Sequence, residues 1–271
     1  MAFDIKAGFM GIGKVGGGKF RATDCSIANN QKAEFFDHVI GLNDTDTGSA
    51  TKGEAVGSIQ KQKVLMRPGV WNVGGSLSYP ATENSAGLFF DYAKDGSYFD
   101  IEFVYACKDA GRKFKDCRMN TLDISCSAGE MLQISVDVLV KNIEEGGSDA
   151  KYETAEKFIT WDKVEIGGAP GDVQAFNISI NNNLIPIYSA QPELSVRDLR
   201  VGMQEVTGSV TVYLKKGILS IDASTVETSL SFECPGLSFD CKCIFLPSIP
   251  QGSVGPMVTT IPFIGIDSPF A

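Results

Sequence analysis

Apolar and polar residues alternate with a period of two along most of the chain, which is the pattern of β-strands with one buried face. The alternation is clearest at 69–79, 173–183 and 205–213, where Val, Ile and Leu alternate with Ser, Thr and Asn. The same criterion predicts further strands at 99–107, 112–126, 131–141, 229–234, 237–246 and 256–265. The pattern therefore predicts a mainly β protein.

One short helix is predicted after the strand that ends near residue 79. Thr82 is a suitable N-cap and Gly96 a suitable residue to end the helix. Apolar residues follow Thr82 at the spacing of one helix face, at Ala86, Phe89, Phe90 and Ala93. A weaker helix is predicted within "SIDASTVETSL", at the matching place in the second half of the chain.

Three sequence blocks recur in the same order, which indicates a duplicated unit. "ATDCSIANN" (22–30) matches "AFNISINNN" (175–183), "GVWNVGGSLS" (69–78) matches "GMQEVTGSVT" (202–211), and "FKDCR" (114–118) matches "SFDCK" (238–242). The spacing between the first two blocks is longer in the first copy, and the excess falls in a polar Gly/Ser/Thr/Lys stretch at 44–63. That stretch is interpreted as an exposed loop.

The duplication predicts three parts. Residues 1–19 form a flexible glycine-rich arm, residues 20–145 a first β unit and residues 146–271 a second β unit with about one short helix in each unit. Residues 142–172 join the two units, and 146–172 is counted with the second unit. The Glu/Gly/Ser-rich start of this connection is interpreted as a linker, and "KFITWDKVEI" is predicted to be a strand of the second unit.

The segment "GFMGIGKV" (8–15) has the glycine and lysine spacing of a phosphate-binding loop. Val15 stands where that loop needs a Ser or Thr to ligate Mg²⁺, and the following "GGGKF" disfavours the helix that the loop opens. The segment is therefore assigned to the arm, and no nucleotide or other cofactor is expected.

Composition argues against catalysis and metal binding. The chain has 271 residues and a formal net charge of −9, which disfavours a protein that grips nucleic acid but not one that DNA passes. His38 is the only histidine, and no acid or nucleophile partner can be assigned to it. Cys241 and Cys243 have no second pair at zinc spacing. The seven cysteines are expected to be reduced and mostly buried. No apolar run is long enough to span a bilayer, and the beginning of the chain lacks the layout of a secretion signal.

Two segments together resemble the tail tube proteins (major tail proteins) of tailed bacteriophages, in the group with two related halves per chain. They are "NISINNNLIPIY" (177–188) and "VGMQEVTGSVTVYL" (201–214), and "RMNTLDISCSAGEMLQISVDVLVK" (118–141) is similar to the corresponding part of the first half. Trp71-Asn72 stands in the first half where the second half has Gln204-Glu205, which puts a strict equivalence of the two surfaces in doubt.

The resemblance implies β-sandwich or barrel-like units that assemble as rings and stack into a hollow tube through which the genome leaves the capsid. It implies no catalytic residues. The partners it implies are other copies of the chain, a tape-measure protein, a tail terminator and tail-tip proteins, and DNA that passes without specific binding. The location it implies is the virion tail, assembled in the host cytoplasm.

A tube of this kind needs a polar inner wall poor in Lys and Arg, because a basic wall would hold DNA. The polar positions of the alternating strands are the candidates for this wall: Asp24, Ser26, Asn72, Ser76, Ser78, Asn177, Ser179, Glu205, Thr207, Ser209 and Thr211. The competing interpretation is that this face simply contacts bulk water.

Two halves per chain leave two ring compositions open. Three chains would form a pseudo-sixfold ring if each half occupies one equivalent position, which the similar polar faces slightly favour; six chains are the alternative. The arm and the 44–63 loop are predicted to contact the neighbouring ring, with Gly11, Gly13, Lys14, Lys52 and Lys61 as candidate stacking residues.

Three alternatives to a tail tube remain at this point. The chain could form a single tail-tip or neck ring, or the tube of a contractile injection machine, and copy number per particle separates a tip from a tube. It could also be a two-lobed β-sandwich that binds a ligand such as a carbohydrate through exposed aromatic residues. Trp71 and Trp161 both adjoin apolar strand positions, so they are interpreted as core residues instead.

Overall fold

The computed structural model describes residues 9–36, 65–105, 111–146, 157–188, 196–213, 227–246 and 258–270. Side chains are described throughout these ranges except at 28–36, 65–73 and 267–270. The elements in chain order are β1 (Gly11–Val15), β2 (Gly18–Ala22), β3 (Asp24–Cys25), β4 (Ala28–Phe36), β5 (Leu65–Pro80), α1 (Phe90–Asp95), β6 (Phe99–Tyr105), β7 (Gly111–Ser127), β8 (Gln133–Glu145), β9 (Glu165–Gly167), β10 (Asp172–Asn181), β11 (Ile185–Tyr188), β12 (Val196–Arg200), β13 (Glu205–Tyr213), β14 (Thr228–Cys234), β15 (Leu237–Phe245) and β16 (Val258–Phe270).

The prediction of a mainly β fold is confirmed, and its strands are present within a few residues of the predicted bounds. Fourteen strands belong to one antiparallel sheet, and β11 and β12 pair with each other in a separate two-stranded sheet. The alternation explains the bounds, because strands such as β8 bury every second residue against the core.

The strands of the first and second halves of the chain pair in the same order. In the first half the order is β4, β5, β8, β7, β6 and β1; in the second half it is β10, β13, β16, β15, β14 and β9. The sequence blocks at 69–78 and 202–211 fall largely on the corresponding strands β5 and β13. The block at 22–30 spans the end of β2, β3 and the first three residues of β4, whereas its counterpart at 175–183 covers most of β10.

The two halves join edge to edge at β7. This strand has 17 residues, and β8 pairs along one of its edges. On the other edge β6 pairs near the start of β7, and β10 pairs near its end, from Ala175↔Ser127 to Asn181↔Thr121. The sheet therefore continues from the first half into the second without a break.

Aromatic rings fill the core of each half. In the first half Phe20 of β2 packs on Tyr79 of β5, with ring centroids 4.7 Å apart. In the second half Phe232 of β14 packs on Phe176 of β10 at 5.3 Å. The outer strands of each half thus curl over the apolar side of the inner strands and enclose a core, as in a sandwich or barrel.

The predicted helix is present but shorter than expected. It begins at Phe90, not after Thr82, and ends as predicted at Gly96, which adopts the left-handed conformation with φ 63°. Thr82 is buried and forms a turn, in which its hydroxyl lies 2.9 Å from the Ser85 hydroxyl. A methyl group at Gly87 would overlap the carbonyl oxygen of Gly236, so the turn between β14 and β15 packs closely against this segment.

The prediction of a flexible arm over 1–19 is wrong for the residues that the structure describes there. Gly11–Val15 and Gly18–Ala22 form a β-hairpin, and β1 also pairs with β6. Ile12, Val15 and Phe20 are buried. Glycine disfavours helix but permits close strand packing, which the sequence interpretation did not consider.

Two predictions for the connection between the halves need correction. The Glu-rich start of the expected linker continues β8 as far as Glu145. The segment "KFITWDKVEI" is not one strand, because a 3₁₀ helix at Trp161–Lys163 separates isolated bridges from β9. The 44–63 loop and most of the weaker predicted helix lie outside the described residues. The described part of the chain includes no helix with the length and apolarity needed to cross a membrane.

Candidate functional site: a continuous polar face across both halves

Adjacent strands of the sheet place small polar and acidic side chains side by side on the face away from the core. We call these side chains, on β5, β8, β7, β10 and β13, the polar face. Its cross-strand rows are Ser78–Ser135–Asp123–Ser179–Thr207, Ser76–Asp137–Thr121–Asn181–Glu205, and Gln133–Ser125–Asn177–Ser209.

The opposite side of the same strands is apolar and buried. Leu77, Val136, Ile124 and Ile178 lie behind the polar face, each fully or almost fully excluded from solvent. Because side chains of a strand point alternately to the two sides, burial of these residues forces their polar neighbours outward. The local cause of the polar face is therefore the period-two alternation.

Short hydrogen bonds link hydroxyl groups across strands of this face. The Ser78 and Ser135 hydroxyls lie 3.0 Å apart, as do those of Ser26 and Ser76. Near the end of β13, beside Ser209, the Thr211 hydroxyl lies 2.9 Å from that of Thr260 on β16. Hydroxyls that satisfy one another leave few donors for a passing ligand.

The rows of the polar face carry negative but no positive charge. The acidic residues are Asp123, Asp137 and Glu205, and Asp24 lies directly beside Ser78. The Asp137 carboxylate accepts a hydrogen bond of 3.0 Å from the Asn120 amide. Within the described residues, no Lys or Arg interrupts these rows.

Two cations lie on β7 and β8 just beyond the row that contains Ser76, and other groups cover them. Arg118 donates a hydrogen bond to the Leu199 carbonyl oxygen, and its guanidinium lies 4.1 Å from the centre of the Tyr98 ring. The Lys141 ammonium lies 4.1 Å from the same ring and 3.7 Å from the Asp198 carboxylate. Tyr98 and the β11–β12 hairpin thus engage both positive charges beside the rows.

The structure brings the sequence-predicted wall residues together. Asp24, Ser26, Ser76 and Ser78 of the first half lie on the same continuous surface as the six predicted residues of the second half: Asn177, Ser179, Glu205, Thr207, Ser209 and Thr211. Asn72 continues the same alternation along the backbone of β5, but its side chain is not among those that the structure describes.

The sequence analysis missed the middle of this surface. Thr121, Asp123 and Ser125 of β7 and Ser135 and Asp137 of β8 connect the two sets of predicted residues. The alternation in "GEMLQISVDVLV" indicates that Ser135 and Asp137 are polar-face residues, but the predicted candidates all lie in or beside the internally matched segments.

The structure describes three of the five candidate stacking residues. Gly11 and Gly13 are buried in β1, where a methyl group would overlap the aromatic rings of Phe103 and Phe20 respectively. These glycines therefore have no exposed surface with which to contact a neighbouring ring of subunits. Lys14 is half-buried in the same strand. Lys52 and Lys61 lie outside the described residues.

The thiol chemistry of the described residues is that of a protein core. Cys25, Cys117, Cys126, Cys234, Cys241 and Cys243 are all free and buried, as predicted for these six. Burial raises the pKa of Cys126 to about 11 and that of Cys241 to about 12. Over the described ranges, no group of three or more His, Cys, Asp and Glu could hold a metal ion. His38 lies outside those ranges.

A family model described as "Phage tail tube protein" matches residues 108–265. The match covers more than half of the chain and contains both the β7–β10 junction and most of the polar face. The chain belongs to the phage tail tube protein family. A search of curated proteins finds no match.

Proposed function

We propose that this chain is the repeating subunit of a phage tail tube, a structural virion protein without catalytic activity, and that its polar face lines the bore through which DNA passes to the host. The continuous polar face across both halves carries the proposal. Family membership supports a structural component of the virion tail.

The charge distribution suits a wall that DNA must pass. DNA phosphates bind surfaces that present Lys and Arg, and binding strengthens with each phosphate neutralised. Hydroxyl groups and a few carboxylates offer no such sites, and carboxylates repel phosphate. Contacts with Tyr98 and with the β11–β12 hairpin cover Arg118 and Lys141, so the rows of the polar face stay weakly acidic.

The proposed ring follows from the likeness of the two halves. Their common pairing order supports a duplicated unit, with residues 20–145 and 146–271 as its two copies. The outer edge of β10 pairs with β7 of the first half, whereas β4, the corresponding strand of the first half, pairs with β5 alone among the described strands. We expect β4 to repeat the β7–β10 junction between subunits, with the second half of the next chain.

This junction favours three chains per ring. If every half occupies an equivalent position, three chains present six units and the ring closes by head-to-tail contacts. Such rings would stack around a tape-measure protein, between a terminator and a tip complex, after assembly in the host cytoplasm.

Electron microscopy of concentrated purified protein tests the function. We expect rings or tubes with a stain-filled channel, many rings long. A protein that stays monomeric at all concentrations contradicts the proposal, and single rings that never stack favour a tail-tip or neck component. Native mass spectrometry of isolated rings then distinguishes three chains from six; six would contradict the repeated junction but not the tube.

A labelling experiment tests which face lines the bore. Ser179→Cys lies on the polar face, and Asp240→Cys lies on β15, whose apolar side packs behind β10 through Phe239 and Phe232. A polyethylene-glycol maleimide too bulky to enter the bore should label both variants as subunits but only Asp240→Cys in tubes. Equal labelling of Ser179→Cys in both states contradicts a lumenal polar face.

A further inference from the structure

Most large apolar side chains that the described surface exposes lie at the two ends of the inner strands. The upper rim, where β10 ends and β13 begins, comprises Ile185, Val201 and Met203. The lower rim, where β7, β13 and β16 meet the other end, comprises Met131, Tyr213 and Val258. Met203 is 76% exposed and Ile185 is 58% exposed.

Contacts between the two ends of the segment that connects β10 and β13 hold the upper rim in place. The Asn183 amide donates a hydrogen bond of 2.8 Å to the Met203 carbonyl oxygen, and the Gly202 N–H donates one of 3.0 Å to Asn182. A methyl group at Gly202 would overlap the Asn183 carbonyl, so the two ends of this connecting segment are in contact. Their contact places Met203 and Val201 beside the start of β11, where Ile185 lies.

The lower rim is formed by paired strand ends and a turn. Tyr213 and Val258 are cross-strand partners, and Asp172 is the partner of Tyr213 on its other side. Met131 lies in the turn between β7 and β8, bridged to Thr160. These side chains lie on ordered backbone, yet the described part of the chain leaves them uncovered.

The exposed charges that directly adjoin rim residues differ in sign between the two rims, although Glu205 of the polar face also follows Met203 by two residues. Arg200 is the cross-strand partner of Ile185 in the upper rim. Asp172 adjoins Tyr213, and Glu130 precedes Met131, in the lower rim. The three side chains are exposed, and none forms an ion pair with another described residue.

We infer that the upper rim of one subunit packs on the lower rim of a second copy of this chain in the next ring. This inference rests on the proposed function, because in a tube each end of a subunit meets another copy. Upper-to-lower packing pairs Arg200 with Asp172 or Glu130, whereas packing like rims together would oppose equal charges.

Aspartate substitutions at the two rims test the contact. Burial of an unpaired carboxylate opposes association, so Met203→Asp and Tyr213→Asp should each raise the protein concentration at which tubes form about tenfold or more. The control is Ile264→Asp, an apolar residue of β16 that is 45% exposed, between Tyr213 at 37% and Met203 at 76%, and that pairs with Thr207 away from both rims. It should assemble like the unchanged protein.

Pelleting and electron microscopy measure tube formation, and thermal unfolding verifies that each variant is folded. Met203→Asp that forms tubes at the unchanged concentration overturns the inference, as does an equal defect in Ile264→Asp. If the unchanged protein forms no rings or tubes, the proposed function fails first, so the two failures are distinguishable.

Mixing the two rim variants tests the polarity of stacking. Met203→Asp retains a normal lower rim and Tyr213→Asp a normal upper rim, so an equal mixture should form pairs of rings that neither variant forms alone. Analytical ultracentrifugation would detect the pair. A mixture that contains no ring pairs contradicts upper-to-lower packing.

Discussion

Gly13 lies in β1 directly against the ring of Phe20, and no larger residue fits between them. A methyl group there would overlap three atoms of the ring. Phe20 cannot move aside, because it is fully buried and packs on Tyr79 at 4.7 Å and Phe89 at 5.5 Å. Gly13 thus permits close packing within one chain.

Gly13→Ala should therefore lower the free energy of unfolding by about 2 kcal/mol, as overpacking of a filled core typically does. Chemical denaturation measures the change. Gly17→Ala is the matched control in the same hairpin, since a methyl group there meets nothing within 4 Å. It should leave stability unchanged or raise it slightly, by restricting the unfolded chain. Equal destabilisation by both substitutions would contradict the packing explanation.

The buried thiols lead to a second prediction at this scale. Because burial raises the pKa of Cys234 to about 12 and that of Cys243 to about 11, the thiolate fraction near pH 8 is negligible. We expect iodoacetamide to leave the six described cysteines unmodified in the native protein and to alkylate them after unfolding. Peptide mass spectrometry locates the label, and rapid native modification of Cys234 would contradict its burial.

The β11–β12 hairpin contacts the first half of the chain through side chains. Two short strands are marginal by themselves. This hairpin is anchored by Leu199, which is buried, and by Asp198, which accepts a hydrogen bond of 2.6 Å from the Tyr98 hydroxyl. That hydrogen bond is the main cause of the lowered pKa of Asp198, and Lys141 acts in the same direction.

The lowered pKa predicts how the hairpin responds to acid. Ionised Asp198 stabilises the native state above the ordinary aspartate pKa of about 3.9, and this contribution disappears as the pH falls through the lowered folded-state value. Asp198→Asn should therefore melt at a lower temperature than the unchanged protein at neutral pH, and the difference should vanish in strong acid.

Asp240→Asn, at an exposed position of β15, controls for the loss of one negative charge. Thermal unfolding between neutral and strongly acidic pH measures both variants. A melting difference for Asp198→Asn that persists unchanged in acid would mean that Asp198 acts through packing and not through its charge.

At the scale of the whole molecule, the two halves share one hydrophobic core. A single cluster of buried residues extends from Val15 to Phe263. The ring of Phe90, at the start of α1, stacks on Phe239 of β15 at 4.8 Å, so the first-half helix packs directly on a second-half strand. The β7–β10 pairing joins the backbones of the halves as well.

The shared core predicts one cooperative unfolding transition. Calorimetry of the subunit should give a calorimetric enthalpy equal to the van't Hoff enthalpy, because neither half can keep its core without the other. Hydrogen exchange should protect the amides of Ile178 and Ile180 most strongly, since β10 is paired on both edges. Two separate transitions would indicate independently folding halves.

Sequence alone determined the features that depend on neighbouring residues along the chain. Alternation predicted most strands from β5 onward, though not β1 to β4, β11 or β12. It also predicted that Ser76, Ser179 and Thr207 lie on the polar side of their strands, because the two faces of a strand follow directly from its pleat. The cap at Gly96 was also predictable, since few residues other than glycine adopt its conformation readily.

Only the tertiary structure decided which strand edges meet and which side chains are covered. Pairing of β10 with β7 merges two polar strips into one surface, and packing of the β11–β12 hairpin covers Arg118 and Lys141. The segment before Phe90 likewise forms turns in place of the predicted helix, and Gly87 within it packs closely against Gly236. Edge pairing and burial depend on residues far apart in the chain, so a local pattern contains no information about the partner.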